Sequence, residues 1–511
     1  MRSYLLAAPA LVLAIPQAGA AARLPVGGPV DVDAGTPQRS LAHPALKTRS
    51  QRCEAATRED ESCFGVRLEM VRALLDAGDL KTAYSEAQQA LAHAERTLPV
   101  DHADIGAAAS LFARVMDATG GYAGSEGYHR RALAIAEKRL PPGDPRLADA
   151  IVWLAENLQH QGRYFDAEQL QRSALAIREA GLRSDDPAIA RTLTAVAAAL
   201  DQQGRASVAE PIHRAAIQKL EKRVRADPQQ LALSYAGLAR NLALQAQYDA
   251  AEPLFRKVLA LRTQATGSNP LAIASAFSDL AINLDAQGRY DVATALHRWA
   301  VAAYRAASPP RPADLASVLG DLAGNLAAIG ATEEAETLYQ EALELAWSSQ
   351  PPGHPALSRA LNDLGAFLAS QKRYRQAGAY YKRALGLLEY KLPAGHPEIA
   401  AAAENLALNR LALGLHADAR PLLLKAYEIR RALPPSHPDR IAGAWLLGWY
   451  LSFRRESPQI VRSLYAEAEQ GLHERLRMFK DHSSAARAET RRYRPVFRGQ
   501  VRVAWELAVQ R

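Results

Sequence analysis

The residues best able to do chemistry in this chain do not converge on a site. Gly124-Ser125-Glu126-Gly127 has the composition of a nucleophile elbow, but Ala123 stands before it and the Gly-x-Ser-x-Gly spacing fails. There is no Gly-rich phosphate loop ending in Lys-Ser or Lys-Thr, and no His-Glu-x-x-His. The 13 histidines are scattered. His354, His396 and His437 recur at intervals of 42 and 41 residues, too far apart to share a metal if each belongs to its own structural unit. His213 and His297 occupy a slot filled elsewhere by Phe255, Tyr339 and Tyr381, so they read as helix-packing residues. Cys53 and Cys63 are the only two cysteines; they suit a disulfide in an exported chain, with two free thiols as the alternative. No nucleophile, base and orienting group stand together. The expectation is a protein that is not an enzyme and has no cofactor and no metal.

The elements that would position any site are announced by a period. Pro145, Pro187, Pro228, Pro270, Pro312, Pro355, Pro397 and Pro438 are separated by 42, 41, 42, 42, 43, 42 and 41 residues. A fixed period of this size means stacked copies of a small helical unit. Proline at a first helical position costs nothing, and the Asp, Asn or His before it can cap the helix start. A glycine about 17 residues later, as in Gly162-Arg163-Tyr164 and Gly288-Arg289-Tyr290, closes that helix. A second helix follows with small residues at Ala167, Ala209, Ala251, Ala293, Ala335, Ala377 and Ala419. Seven residues on, and so on the same face, come Ala174, Ala216, Val258, Ala300, Ala342, Ala384 and Ala426. The first helix carries Leu154, Val196, Leu238, Leu280, Leu322, Leu364 and Leu406, each followed by Ala or Gly. Each unit is an antiparallel helix pair in which a large apolar residue packs over small ones.

These rows resemble tetratricopeptide repeats. The 42-residue period, the His-Pro joints and phrases such as Leu280-Ala281-Ile282-Asn283-Leu284 resemble the variety found in kinesin light chains and many bacterial proteins. The resemblance covers roughly 62–480, with two degraded units before 145 and a divergent one from Pro438. It implies an all-α, right-handed superhelical solenoid of about ten helix-turn-helix repeats with a concave groove lined by the first helices.

The ends differ from the repeats. Residues 1–20 read as a secretory signal peptide: Arg2, an apolar run from Tyr4 to Ile15, and Ala18-Gly19-Ala20, with cleavage expected after Ala20. Residues 21–50 read as a flexible leader, 51–480 as the solenoid and 481–511 as a basic capping helix or arm. That arm holds Arg491, Arg492, Arg494, Arg498 and Arg502, and the stretch from His473 to Arg511 carries +6 of the chain's formal +8. Capping the last repeat is the preferred reading; docking on an acidic partner or on a second copy is the other. Localisation is expected to be periplasmic or secreted, with no transmembrane segment in the mature chain. Charges of both signs make up 23% of the residues and no recognition motif is present, so nucleic acid is not an expected partner.

By analogy with tetratricopeptide proteins, the groove row is Trp153, Ala195, Gly237, Asp279, Asp321, Asp363 and Asn405, acidic over three consecutive repeats. A second row holds Asn157, Asn241, Asn283, Asn325 and Asn409. These amides could bond an extended peptide or, as the slot favours, the neighbouring helix. The expected function is a non-enzymatic interaction scaffold that binds a protein segment, of basic character, in the groove. The alternative is the regulatory partner of a separately encoded caspase-like (CHAT-type) hydrolase, or a piece of such a protein. Tyr493-Arg494-Pro495-Val496-Phe497 resembles the connector before such a domain.

Overall fold

The computed structural model describes residues 61–223, 227–264, 269–307, 311–349 and 355–477. The expected signal peptide, leader, Cys53–Cys63 pairing and basic arm lie outside these residues, the side chain of Cys63 included. Twenty α-helices occupy the described chain. They are α1 (Glu61–Ala77), α2 (Leu80–Thr97), α3 (Ala103–Ala118), α4 (Tyr122–Arg139), α5 (Pro145–His160), α6 (Tyr164–Gly181) and α7 (Pro187–Gln202). Then come α8 (Ala206–Glu221), α9 (Pro228–Leu244), α10 (Tyr248–Gln264), α11 (Pro270–Ala286), α12 (Tyr290–Arg305), α13 (Pro312–Ala328) and α14 (Thr332–Ser349). The series ends with α15 (Pro355–Ser370), α16 (Tyr374–Lys391), α17 (Pro397–Ala412), α18 (His416–Arg431), α19 (Pro438–Phe453) and α20 (Pro458–Leu476). Each odd-numbered helix packs most heavily on the even-numbered helix after it, which gives ten antiparallel pairs.

Local chemistry sets the ends of these helices. Asp144, Asp186, Asp227 and Asn269 each accept a hydrogen bond from the backbone N–H two residues on, one residue before an N1 proline. His396 and His437 do the same through Nδ1, and His102 caps likewise before Ala103 in place of a proline. Every first helix closes on a residue with positive φ: Gly at 78, 120, 162, 204, 288, 330 and 414, but Ala246, Lys372 and Arg455 elsewhere. A side chain in that conformation costs about 1–2 kcal/mol, so these three joints hold their shape against local preference.

The small-residue rows are the core. Ala167, Ala209, Ala251, Ala293, Ala335, Ala377 and Ala419 are all 0% exposed. So are the alanines that follow the apolar ladder at 155, 197, 239, 281, 323 and 407. No helix among the described residues is long and apolar enough to cross a membrane.

The direction of curvature follows from side-chain size. First helices of successive repeats touch one another directly, as α1 with α3, α7 with α9 and α13 with α15 do. Second helices are held apart by long charged side chains: Arg131 reaches Glu95, Lys257 reaches Glu221, Arg305 reaches Glu341 at 2.7 Å and Lys425 reaches Glu389. Tight spacing on one layer and wide spacing on the other bends the stack. The first helices therefore line the concave wall of a superhelical solenoid.

Candidate partner-binding surface

The concave wall carries the expected groove row, but its aspartates are already engaged. Asp279 is 1% exposed and accepts from Arg240 Nη2 at 2.8 Å, across the boundary between α9 and α11. Arg359 on α15 lies between Asp321 on α13, at 3.3 Å, and Asp363 on its own helix, at 3.8 Å. Asn405 donates to Asn362 Oδ1 at 2.8 Å. The row that reads as an open acidic stripe in sequence is a series of inter-repeat polar links. Arginines from other rows supply its counter-charges.

The asparagine row is buried, and this corrects its inclusion in a partner-binding set. Asn157 donates to Asp117 Oδ1, the Tyr122 carbonyl and Ser125 Oγ at 2.8–3.0 Å. Asn241 donates to Asp201 Oδ1 at 2.6 Å and the Ala206 carbonyl at 2.8 Å. Asn325 donates to Asp285 Oδ1 at 2.7 Å and the Tyr290 carbonyl at 3.1 Å, and Asn283 donates to the Tyr248 carbonyl at 3.1 Å. Asn409 is buried against Gly378. Asn157, Asn241, Asn283 and Asn325 bond the first backbone carbonyl of the preceding second helix and so join repeats, whereas the buried Asn409 amide has no hydrogen-bond partner among the described residues.

Three of these bonds belong to a device that sequence reading missed. His129 Nε2 lies 2.8 Å from Asp117, His213 3.0 Å from Asp201 and His297 2.9 Å from Asp285. The other carboxylate oxygen of each Asp takes the Asn of the next repeat. The Asp–His–Asn set thus recurs every 84 residues, twice the repeat length. The three histidines are no more than 2% exposed. They do pack in the slot that Phe255, Tyr339 and Tyr381 fill elsewhere, but as partners of a buried carboxylate. Overlaying alternate repeats in the sequence shows the 84-residue spacing; overlaying neighbours hides it.

A further group on the concave wall joins α3 and α5. The Arg114 guanidinium sits 5.3 Å from the centroid of the half-buried Trp153 ring. One turn on, burial pushes the Glu156 carboxyl up to about 7; Arg114 pulls against the rise, Asp117 adds to it and Arg178 opposes it. Among the described residues, no group of three or more His, Cys, Asp or Glu could hold a metal.

This architecture defines a class: an all-α solenoid of 42-residue helix pairs. Three tandem matches to the tetratricopeptide repeat family model span residues 146–222, 230–306 and 314–389. Residues 146–389 are therefore built of tetratricopeptide repeats, and the helix pairs on either side continue the same rows and joints. Nearly identical TPR-like repeats of a kinesin light chain from Podosopora anserina are 24% identical over 41% of this chain and 100% of theirs, with a TM-score of 0.36. BtubC (BKLC) from P. vanneervenii is 20% identical over 45% of this chain and 91% of its own, with a TM-score of 0.37. A Rap protein solved with Competence and Sporulation Factor is 14% identical over 72% of this chain and 98% of its own, with a TM-score of 0.48. No curated protein matches the chain.

Proposed function

We propose that this chain is a non-enzymatic scaffold that holds a segment of a partner protein against its concave wall, in the periplasm or outside the cell. The observation that carries the reading is the continuous inner layer of first helices, pre-shaped over ten repeats, so that a segment laid along it orders only itself. Trp153, Arg114 and Glu156 are the side chains of that wall best placed to contact a ligand. A basic group brought beside Glu156 favours its ionised form, so binding of a basic segment releases a proton near neutral pH. Asp279, Asp321 and Asp363 contribute only where a partner's cation replaces Arg240 or Arg359.

Cross-linking in source cells, followed by purification of the tagged full-length chain and mass spectrometry, tests the reading. One exported or envelope protein is expected, and it is lost with the Trp153→Ala, Glu156→Gln double variant. Recovery undiminished by that variant removes the site assignment. Retention of residues 1–20 in the purified chain, or a cytoplasmic partner, removes the proposed location.

A further inference from the structure

The solenoid touches itself after one superhelical turn. His396 Nε2 donates to the carbonyl of His160 at 3.0 Å, 236 residues away, and His437 Nε2 donates to that of Gln202 at 3.3 Å, 235 residues away. Arg475 Nη1 adds a bond to the Gly204 carbonyl at 3.2 Å. The two histidines are equivalent caps of consecutive repeats, and the two acceptors are the last residues of α5 and α7. The contact is therefore a registered seam with a turn of between five and six repeats.

Its chemistry explains why these joints carry histidine. An Asp or Asn cap such as Asp186 or Asn269 satisfies its own helix through one oxygen, and an Asp then has no donor left. His396 and His437 accept from the Glu398 and Asp439 N–H groups through Nδ1, which leaves Nε2–H free to donate. That donor meets an orphan carbonyl at a helix C-terminus, so the N-terminus of α17 faces the C-terminus of α5.

Glycine makes the approach possible. A Cβ on Gly162 would stand 2.5 Å from Pro397 Cδ, and one on Gly204 would stand 2.9 Å from His437 and Pro438. The equivalent turns at Gly288, Gly330 and Gly414 have nothing within 4 Å. Tyr122 completes the seam, stacked on His160 at 4.7 Å and packed on the core cluster of the C-terminal repeats.

We propose that this seam is a latch, in which the His396 and His437 caps close the concave wall into a lumen and release it on acidification. The latch stands on these contacts alone; its meaning as a gate rests on the groove reading above. Protonation puts an N–H on Nδ1 against the Glu398 or Asp439 N–H, donor against donor, in a buried contact.

The surroundings do not rescue that charge. His396 faces Glu398 on its own helix, His160 on α5 and Tyr122 on α4, with Asp117 and Arg359 beyond. Burial raises Glu398 from its ordinary value, opposed by Arg359, so it is a weaker counter-ion as pH falls. His437 faces Asp439, Arg475 and Arg430, and Tyr164 of α6 lies in range of Asp439. Burial lowers His396 from 6.5 to about 4, opposed by its bond to His160. A histidine held neutral contributes stability above its ordinary value and loses it as pH falls from 6.5 toward 4.

Small-angle scattering and hydrogen exchange on the free full-length chain read the latch without any partner. The chain is expected to expand between about pH 6.5 and about pH 4, with exchange in 158–164 and 394–400 rising at least about tenfold while α11–α13 stay protected. His396→Asp with His437→Asp keeps both caps, as Asp186 does, and removes both cross-turn donors. This variant is expected to be expanded at neutral pH and indifferent to acid. Gly162→Ala is expected to expand the chain, whereas Gly288→Ala, with the same left-handed strain and no seam contact, leaves it compact. A compact aspartate variant at neutral pH, an acid expansion that persists in it, or equal behaviour of the two glycine variants overturns the latch.

Discussion

Two stretches of this solenoid fill the same repeat in different ways. From α12 to α18 the core is one apolar cluster running from Val301 to Ala426, with Tyr339 and Tyr381 in the packing slots and Phe367 against Tyr339. From α5 to α8 the buried apolar residues fall into four small groups. Buried Gln161, Glu168, Gln171, Arg178 and Gln203 separate them, and the Asp201–His213–Asn241 set sits at their end. Both stretches keep the same helix pairing. The lesson is that the alanine rows set the backbone and the larger slot is free to vary in chemistry. Aromatic filling contributes apolar burial, while polar filling fixes register, because a slipped repeat leaves a buried carboxylate unpaired.

The comparison can be broken most forcefully on its apolar side. Phe255→Ala removes a ring that is 0% exposed and is expected to cost about 3–5 kcal/mol, read as loss of exchange protection across α9–α11. On the polar side, Asp201→Ala leaves His213 Nε2 without its acceptor and costs about 1–3 kcal/mol. The sharper test combines Asp201→Ala with His213→Phe, which reproduces the natural Ala243, Phe255 and Asn283 arrangement one repeat on. The double variant is expected to recover most of the single variant's loss, because both polar partners leave together. If it stays as unstable as Asp201→Ala, the two fillings are not interchangeable. The smallest effect is at a joint: Ala246→Gly relieves a φ of 57°. It is expected to gain up to about 1 kcal/mol, offset in part by the greater freedom of glycine in the unfolded chain. An unchanged denaturation midpoint would show that this joint is not strained.

Most of the fold was legible because each repeat is a local solution. Proline at N1, a capping residue before it and a left-handed glycine after it act within a few residues, so the helix limits could be read directly. The alanine rows were legible because close helix approach demands small residues at the same place every time. The surface was harder. Asp279 looked free because its partner, Arg240, stands on another helix and in a different row of the alignment. The asparagines looked available for the same reason. The Asp–His–Asn sets combine residues from three helices of two repeats, at a period that comparison of neighbouring repeats averages away.

Residue order alone therefore settled the unit, its limits, its core and the family, since all of these depend on contacts within or between adjacent repeats. Tertiary structure decided which polar groups are spent and where the chain meets itself. Those depend on small rotations that add up over more than five repeats. A change in rotation too small to alter any one repeat carries His396 away from His160.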